Sequence, residues 1–203
     1  GATIGHGLGV KPAMFIGKAR NNAQNWWVWH QNLTSYQYIM RLNQTDAQSN
    51  TTSVLTADPT SSLITVSADG FVNYSNWTYV CYAFAAIPGF SAFGSYTGNG
   101  STDGPFVWCG FRPRWVLFKN STSAGNDWFI YDTSRNTYNV MGASLLADSA
   151  SAENAVSLST ENTVDYLSNG FKLRSTNAGN NQSGQTIIYA AFAENPFKYS
   201  RAR

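Results

Sequence analysis

The chain has 203 residues, with 13 Lys and Arg against 11 Asp and Glu, and a formal net charge of +2. Charged residues make up 12% of it, against the ~25% that is usual in soluble domains. The low charge excludes a coiled coil, and the absence of a Lys/Arg run argues against nucleic acid or an anionic membrane as the main partner. The aromatic content of 15% argues against disorder, so Asn, Gln, Ser and Thr are expected to solvate a globular surface.

The two ends of the chain and its apolar runs indicate no membrane insertion. The most apolar run, residues 79–90, is too short for a transmembrane helix and ends in Pro88-Gly89. Residues 1–7 contain no initiator Met, no basic region and no apolar leader. We therefore expect the chain to be a mature or excised piece of a longer protein.

Short aromatic and branched runs predict strands along the chain. The first two lie at residues 14–18 and 26–30, with a polar loop between them that suits a hairpin. Further on, Asp69-Gly70 and Asn169-Gly170 predict two-residue hairpin turns with positive φ. Residues 141–155 are the one segment with weak helical character, for which a short helix or an irregular loop stays open.

The chain repeats itself with an offset of about 100 to 108 residues, in the same order throughout. The matches pair residues 9–18 with 110–119, 26–30 with 128–132, 68–71 with 168–171, and 78–88 with 186–196. A repeat of about 100 residues has the size of an ordinary domain. The most Gly-rich polar stretch falls between the copies, which predicts a first repeat at 1–93, a linker at 94–103 and a second repeat at 104–203.

Short strands separated by turn signals predict the fold class. We expect an all-β protein built from two tandem, sequence-related β-sandwich modules of the jelly-roll or concanavalin-like kind.

The Trp-rich strand of the first repeat holds the main candidate contacts. Because alternate residues of a strand face opposite ways, Trp26, Val28 and His30 share one face while Trp27 and Trp29 share the other. Two interpretations stay open. One face fills a core and the other packs under a loop, the sister copy or a neighbouring subunit, or one face is an exposed platform that stacks on sugar rings or anchors a partner. The candidate glycan or partner contacts are Trp27, Trp29, His30, Trp77, Tyr96, Trp108, Phe129 and Tyr131.

The sequence contains no catalytic or metal-binding constellation. No acids form the close pair with which a β-sandwich glycosidase places its acid and nucleophile, and no serine lies in a GxSxG turn. Cys81 and Cys109 lie in apolar runs, which favours buried free thiols, while a disulfide stays open because it requires Cα atoms within about 7 Å. We expect no enzyme, no cofactor and no metal site.

Longer phrases in both copies are similar to one family. They are His6-Gly7-Leu8-Gly9-Val10-Lys11-Pro12, Pro88-Gly89-Phe90, residues 93–100, Asp103-Gly104-Pro105-Phe106-Val107, Gly110-Phe111-Arg112-Pro113, residues 167–174 and residues 190–199. They resemble the repeat modules of tail fibres and other virion proteins of tailed bacteriophages, and residues 198–203 resemble the C-terminus of such proteins. The resemblance implies a virion location and a β-rich, concanavalin-like fold, and it brings no catalytic residues.

The leading functional prediction is a non-enzymatic phage virion structural protein, a tail-fibre or capsid-surface module for host glycan adhesion or virion assembly. Its expected partners are other virion subunits and a host surface glycan, with a homotrimer as the first oligomer to consider. Nucleic acid is not expected. Two alternatives stay open, a virion enzyme that depolymerises polysaccharide and a secreted cellular lectin or adhesin.

Overall fold

The computed structural model describes residues 1–155 and 163–196, in which nearly all regular structure is antiparallel β-sheet. The chain divides into two compact units, unit 1 at Gly1–Ala86 and unit 2 at Ile87–Arg203. Among the described residues, no helix has the length and apolar character that a membrane span requires. Residues 198–203, for which a family-like C-terminus is predicted, lie outside the described residues.

Unit 1 contains two antiparallel sheets over one core. Its strands are β1 (Ala2–Gly5), β2 (Met14–Ala19), β3 (Trp27–His30), β4 (Tyr38–Arg41), β5 (Ser49–Asn50), β6 (Leu63–Val66) and β7 (Tyr79–Phe84). The main sheet has the order β5-β4-β3-β2-β7, and β1 pairs with β6 in a second sheet. Phe15 of β2 and Ile64 of β6 belong to one buried cluster, so both sheets contribute to the core in a sandwich-like arrangement.

Unit 2 has the same plan with additional strands. Its elements are β8 (Ser91–Thr97), β9 (Phe106–Trp108), β10 (Pro113–Asn120), β11 (Phe129–Asp132), β12 (Ala143–Leu146), β13 (Asn154–Ala155), β14 (Val164–Leu167), β15 (Gly170–Leu173), α1 (Ala178–Asn181) and β16 (Thr186–Ala193). The main sheet has the order β13-β12-β11-β10-β16-β8, and the smaller one the order β14-β15-β9. Val116 of the main sheet and Phe171 of the smaller one belong to one buried cluster.

The segments that match in sequence occupy equivalent strands with equivalent registers. Phe15 lies opposite Ala83 in unit 1, and Val116 lies opposite Ala191 in unit 2. In the sequence alignment of the repeats, Phe15 is the counterpart of Val116, and Ala83 is the counterpart of Ala191. The repeat is therefore a repeat of strand order and side-chain orientation as well as of residues.

Neither Gly70 nor Gly170 has the positive φ that the two predicted hairpin turns require. A hairpin does form at the second of them, where Leu167 of β14 lies opposite Gly170 of β15, but its two turn residues are Ser168 and Asn169. The Asp69 carboxylate closes its own turn by accepting the N–H of Phe71 at 2.9 Å. Gly170 begins β15, and a Cβ there would collide with the carbonyl oxygen of Val107. This glycine serves close strand approach rather than turn geometry.

The possible helix at 141–155 is also corrected. That segment contains β12 and β13, and β12 pairs with β11 through Phe129–Leu146 and Ile130–Leu145. Pairing with an existing strand overrides a weak helical preference that lacks caps. The one helix in the described residues is the single turn of α1.

The boundary between the repeats differs from the predicted one. Residues 94–97 of the predicted linker belong to β8, which pairs with β16 along its length from Ser91 to Thr97. The following loop is also held by unit 2, since the N–H of Gly98 donates to Gln185 and that of Gly104 donates to Leu173. A Gly-rich composition indicates a linker, but here small residues allow β8 to approach the β16 side chains closely.

The Tyr96→Ala substitution tests whether residues 94–97 form a strand of unit 2 or a flexible linker. Tyr96 packs against Phe118, Phe171 and Tyr189, so its truncation should reduce the free energy of unfolding by about 3 kcal/mol. Ser95→Ala is the matched control, because Ser95 is exposed and should change that energy by less than about 0.5 kcal/mol. Urea denaturation measures both, with amide exchange in β16 assigning the loss to unit 2. Equal, small effects would indicate a flexible linker.

Candidate binding surface

Four of the predicted contact residues lie in the cores. The exposed fractions are 4% for Trp27, 2% for Trp29, 5% for Phe129 and 0% for Tyr131. Their alternating positions on β3 and β11 aim them between the two sheets of each unit. This corrects the interpretation of that face as an exposed platform, because a sugar ring cannot reach side chains that the sandwich buries.

His30 is buried as well, at the end of β3. Its Nδ1 accepts the N–H of Asn32 at 3.1 Å. The equivalent residue of unit 2, Asp132, accepts the N–H of Ser134 at 2.9 Å and that of Arg135 at 3.0 Å. Two different side chains therefore close the same turn after the same strand, and the difference between the copies at this position is one of turn chemistry.

Tyr96 and Trp77 are half-buried. The Tyr96 hydroxyl donates to the carbonyl of Asn180 at 2.6 Å, and burial raises the pKa of that hydroxyl well above its usual value. Trp77 lies against Tyr74 with ring centroids 5.1 Å apart. Both rings are engaged within their own units, and each keeps part of its surface in solvent.

Trp108 is the predicted contact residue that the fold leaves open, with 68% of its surface exposed. It lies on β9 beside Phe106, which is 46% exposed, while Val107 between them is buried in the core. Gly170 lies opposite Trp108 on β15, so no side chain covers the indole from the neighbouring strand. Gly110 lies against the far end of the indole, and a Cβ added to this glycine would lie 3.1 Å from the ring.

A group of ion pairs adjoins these two rings. Lys172 lies opposite Phe106 on β15, and its ammonium is 2.8 Å from Asp103. Arg174 is 3.7 Å from Asp103 and 2.7 Å from Asp165. The hydrogen bond from Lys172 lowers the pKa of the Asp103 carboxyl, which is therefore ionised at neutral pH and exposed to solvent. We call Phe106, Trp108, Asp103, Lys172 and Arg174 the Trp108 surface.

The residues beside Trp108 were not candidates from sequence. The signal was available in Phe106-Val107-Trp108, where an apolar core residue separates two aromatic ones in a short strand. The partners Lys172 and Asp103 are distant in sequence, and only the pairing of β9 with β15 brings them to the rings.

Other arrangements in the described residues give less chemistry. No group of three or more His, Cys, Asp or Glu side chains there could hold a metal ion. Burial and the nearby charge of Asp148 raise the pKa of Asp127, and the positive charge of Lys119 offsets part of this rise. Asp148, however, accepts the N–H of Trp128 at 3.1 Å, so its carboxylate binds the backbone at the residue just before β11.

Both cysteines are free thiols, and the expectation that both are buried holds for Cys109 but not for Cys81. Cys81 is exposed along the β7 edge, yet it also lines an apolar cavity. Desolvation there raises the pKa of its thiol to about 11.

The stability of two alanine variants tests which indole is exposed and which belongs to a core. Trp108→Ala should change the free energy of unfolding by less than about 1 kcal/mol, since its ring is mostly in water. Trp27→Ala should lower it by about 3 to 5 kcal/mol, because it empties part of the unit 1 core. Thermal or urea unfolding measures both, and a larger loss for Trp108→Ala would mean that this residue is structural.

The pH dependence of alkylation tests the environment of Cys81. Only the thiolate reacts, and with a pKa of about 11 its fraction at pH 8 is about two orders of magnitude below that of free cysteine. The more basic thiolate is about tenfold more nucleophilic, so alkylation by iodoacetamide should be roughly tenfold slower than that of free cysteine. The rate should still rise between pH 9 and pH 11. The Cys109→Ser variant restricts the signal to Cys81, and a rate that levels off near pH 9 would contradict the desolvated setting.

Comparison with known proteins gives one family. A search of the curated proteins found no match, and neither did a search of the solved structures. A family model matches the chain across both repeats. That model matches residues 1–196 and is described as "Domain of unknown function (DUF7483)", and the chain belongs to this family.

Proposed function

We propose that this chain is a non-enzymatic structural module of a tailed-phage virion, from a tail fibre or the capsid surface, that adheres to a host surface glycan. Its two units are tandem jelly-roll or concanavalin-like sandwiches. The observation that carries the proposal is the Trp108 surface, an exposed indole with adjacent ion-paired side chains on the outer face of the β14-β15-β9 sheet.

The chemistry of this surface suits a sugar ring. The face of an indole carries partial negative charge, and the C–H groups on the apolar face of a pyranose carry partial positive charge, so the two stack. Asp103 is ionised and exposed, and it can accept hydrogen bonds from sugar hydroxyls. Lys172 and Arg174 can donate to ring and hydroxyl oxygens. With Asp165, which pairs with Arg174, two acids balance the two bases, and this favours a neutral hexose over a strongly anionic one.

The virion setting rests on composition and on the resemblance of both repeats to phage fibre modules. A surface coated with Asn, Gln, Ser and Thr and carrying a net charge of +2 suits a particle exposed outside cells. A single shallow contact of this kind is weak, and several copies on one particle raise its avidity by factors of about 10² to 10⁴. A homo-oligomer, with a trimer as the first to test, provides those copies.

Glycan arrays and adsorption competition test the adhesive function. The isolated chain should bind host envelope polysaccharide, and Trp108→Ala should weaken binding at least roughly tenfold, since stacked aromatic contacts commonly dominate small interfaces. Tyr138→Ala is the matched control, because Tyr138 is 83% exposed but lies in a loop outside the Trp108 surface. Equal binding by the wild type and both variants would locate the contact elsewhere.

Absence of binding to any host envelope material would leave assembly as the role of the chain. Release of new reducing ends from the same polysaccharide would overturn the non-enzymatic assignment. In that case Asp127→Asn is the first variant to examine, because the pKa of Asp127 is raised in the direction that a general acid requires.

A further inference from the structure

The last strands of the two repeats differ in what lies beside them. In unit 2, β16 has β10 on one side and β8 on the other. In unit 1 its counterpart β7 has β2 on one side, and no described residue forms a strand on the other. The difference shows in burial, because five consecutive residues of β16 are buried while none of β7 is.

The hydrogen-bond pattern identifies the backbone groups at this open edge. The N–H of Arg20 donates to the carbonyl of Thr78, so in the β2–β7 ladder the residues at even positions of β7 bond to β2. The N–H and C=O groups of Tyr79, Cys81 and Ala83 therefore point away from β2. No described residue bonds to them.

The equivalent groups of unit 2 are those that bind β8. The N–H of Gly98 donates to Gln185, which places the bonded residues of β16 at its odd positions, Ile187, Tyr189 and Ala191. In the sequence alignment of the repeats these three are the counterparts of Tyr79, Cys81 and Ala83. The backbone groups that hold β8 in unit 2 therefore have counterparts in unit 1 that no described strand pairs with.

An apolar cavity opens beside the β7 edge. It is lined by Ile4, Trp27, Ile64, Val66, Val72, Tyr79, Val80 and Cys81. Its volume is only about 30 Å³, far below the ~300 Å³ of a small-molecule site. A free ligand does not fit, but the end of an inserted side chain does.

The cavity corresponds to the place that β8 fills in unit 2. There Tyr96 packs on Phe118 and Tyr189, with ring centroids 6.4 and 6.5 Å away. The counterparts in unit 1 are Gly17, over which the Trp27 ring lies, and Cys81. Small residues replace large ones, and no strand supplies a side chain in the position of Tyr96.

We propose that the β7 edge of unit 1 is an acceptor for an extended strand of the β8 type, supplied by another repeat module. The incoming strand lies antiparallel to β7, its backbone bonds to Cys81 and the flanking odd residues, and an apolar side chain at the position of Tyr96 enters the cavity. Its chemistry is that of β8, small residues facing inward and then an aromatic one. This inference does not depend on glycan binding.

Residue-resolved amide exchange on the whole chain, with an added peptide, tests the acceptor. The peptide has the sequence of residues 89–98. In the free chain the amides of Cys81 and Ala83 should exchange fast, and excess peptide should slow them at least roughly tenfold through new hydrogen bonds. The amides of Val80 and Tyr82, already bonded to β2, are the internal control and should change little.

Two altered peptides separate strand addition from non-specific adhesion. N-methylation at the position of Gly94 removes a donor that the ladder requires, and replacement of the position of Tyr96 by Ala removes the inserted ring. Each should weaken protection at least roughly tenfold. If either altered peptide protects the β7 amides as well as the parent does, or if the parent gives no protection at millimolar concentration, the proposal fails.

A protein variant supports the peptide controls. Cys81→Pro removes one outward N–H without touching a bond to β2, a position at which edge strands tolerate proline, and it should abolish protection of Ala83. If that variant does not fold, the altered peptides still decide. Protection of Cys81 without peptide that grows with protein concentration would contradict the proposal, because a second copy of the chain, whose own β8 is already paired with β16, would then hold the edge in place of a free β8-type strand.

Discussion

One antiparallel strand pair closes each unit, and the rest of the structure depends on it. β2 pairs with β7 and β10 pairs with β16, although these strands stand at opposite ends of their repeats. Closing so long a loop has an entropic cost that grows slowly with length, and the ladder together with the core beneath it offsets that cost. The last strand also lies toward one edge of each main sheet, and β8 covers it in unit 2 but no described strand does so in unit 1.

The alternation of side chains on these central strands sorts the aromatic residues. Rings that face the smaller sheet become core, as Phe15, Trp29 and Phe118 do. The most exposed indole of the predicted contacts belongs to β9 at the edge of the smaller sheet, where Trp108 faces away from that core. The high aromatic content is thus mainly a consequence of filling two cores, and only a small part of it is available for binding.

The two repeats keep some polar positions and change others. Lys18 donates to the carbonyl of Asn22 at 3.0 Å, and its counterpart Lys119 donates to the carbonyl of Asn126 while lying 5.9 Å from the Trp128 centroid. In both units a lysine therefore fastens the loop of the same hairpin. Cys81 in place of Tyr189, by contrast, leaves space at the β7 edge, so the copies differ where one sheet is extended and the other is not.

The sequence by itself determined the all-β class, the repeat and the strands around residues 14–18 and 26–30, because these follow from local composition, alternation and self-similarity. Only the tertiary structure decided that Trp27 and Phe129 are core while Trp108 is open, since a strand that is apolar on both faces gives no local sign of which face meets a second sheet. It also placed the Gly-rich segment in β8 and joined Lys172 to Asp103. Pairings between residues far apart in sequence leave no local pattern, because cross-strand hydrogen bonds and packing make them only after the chain has folded.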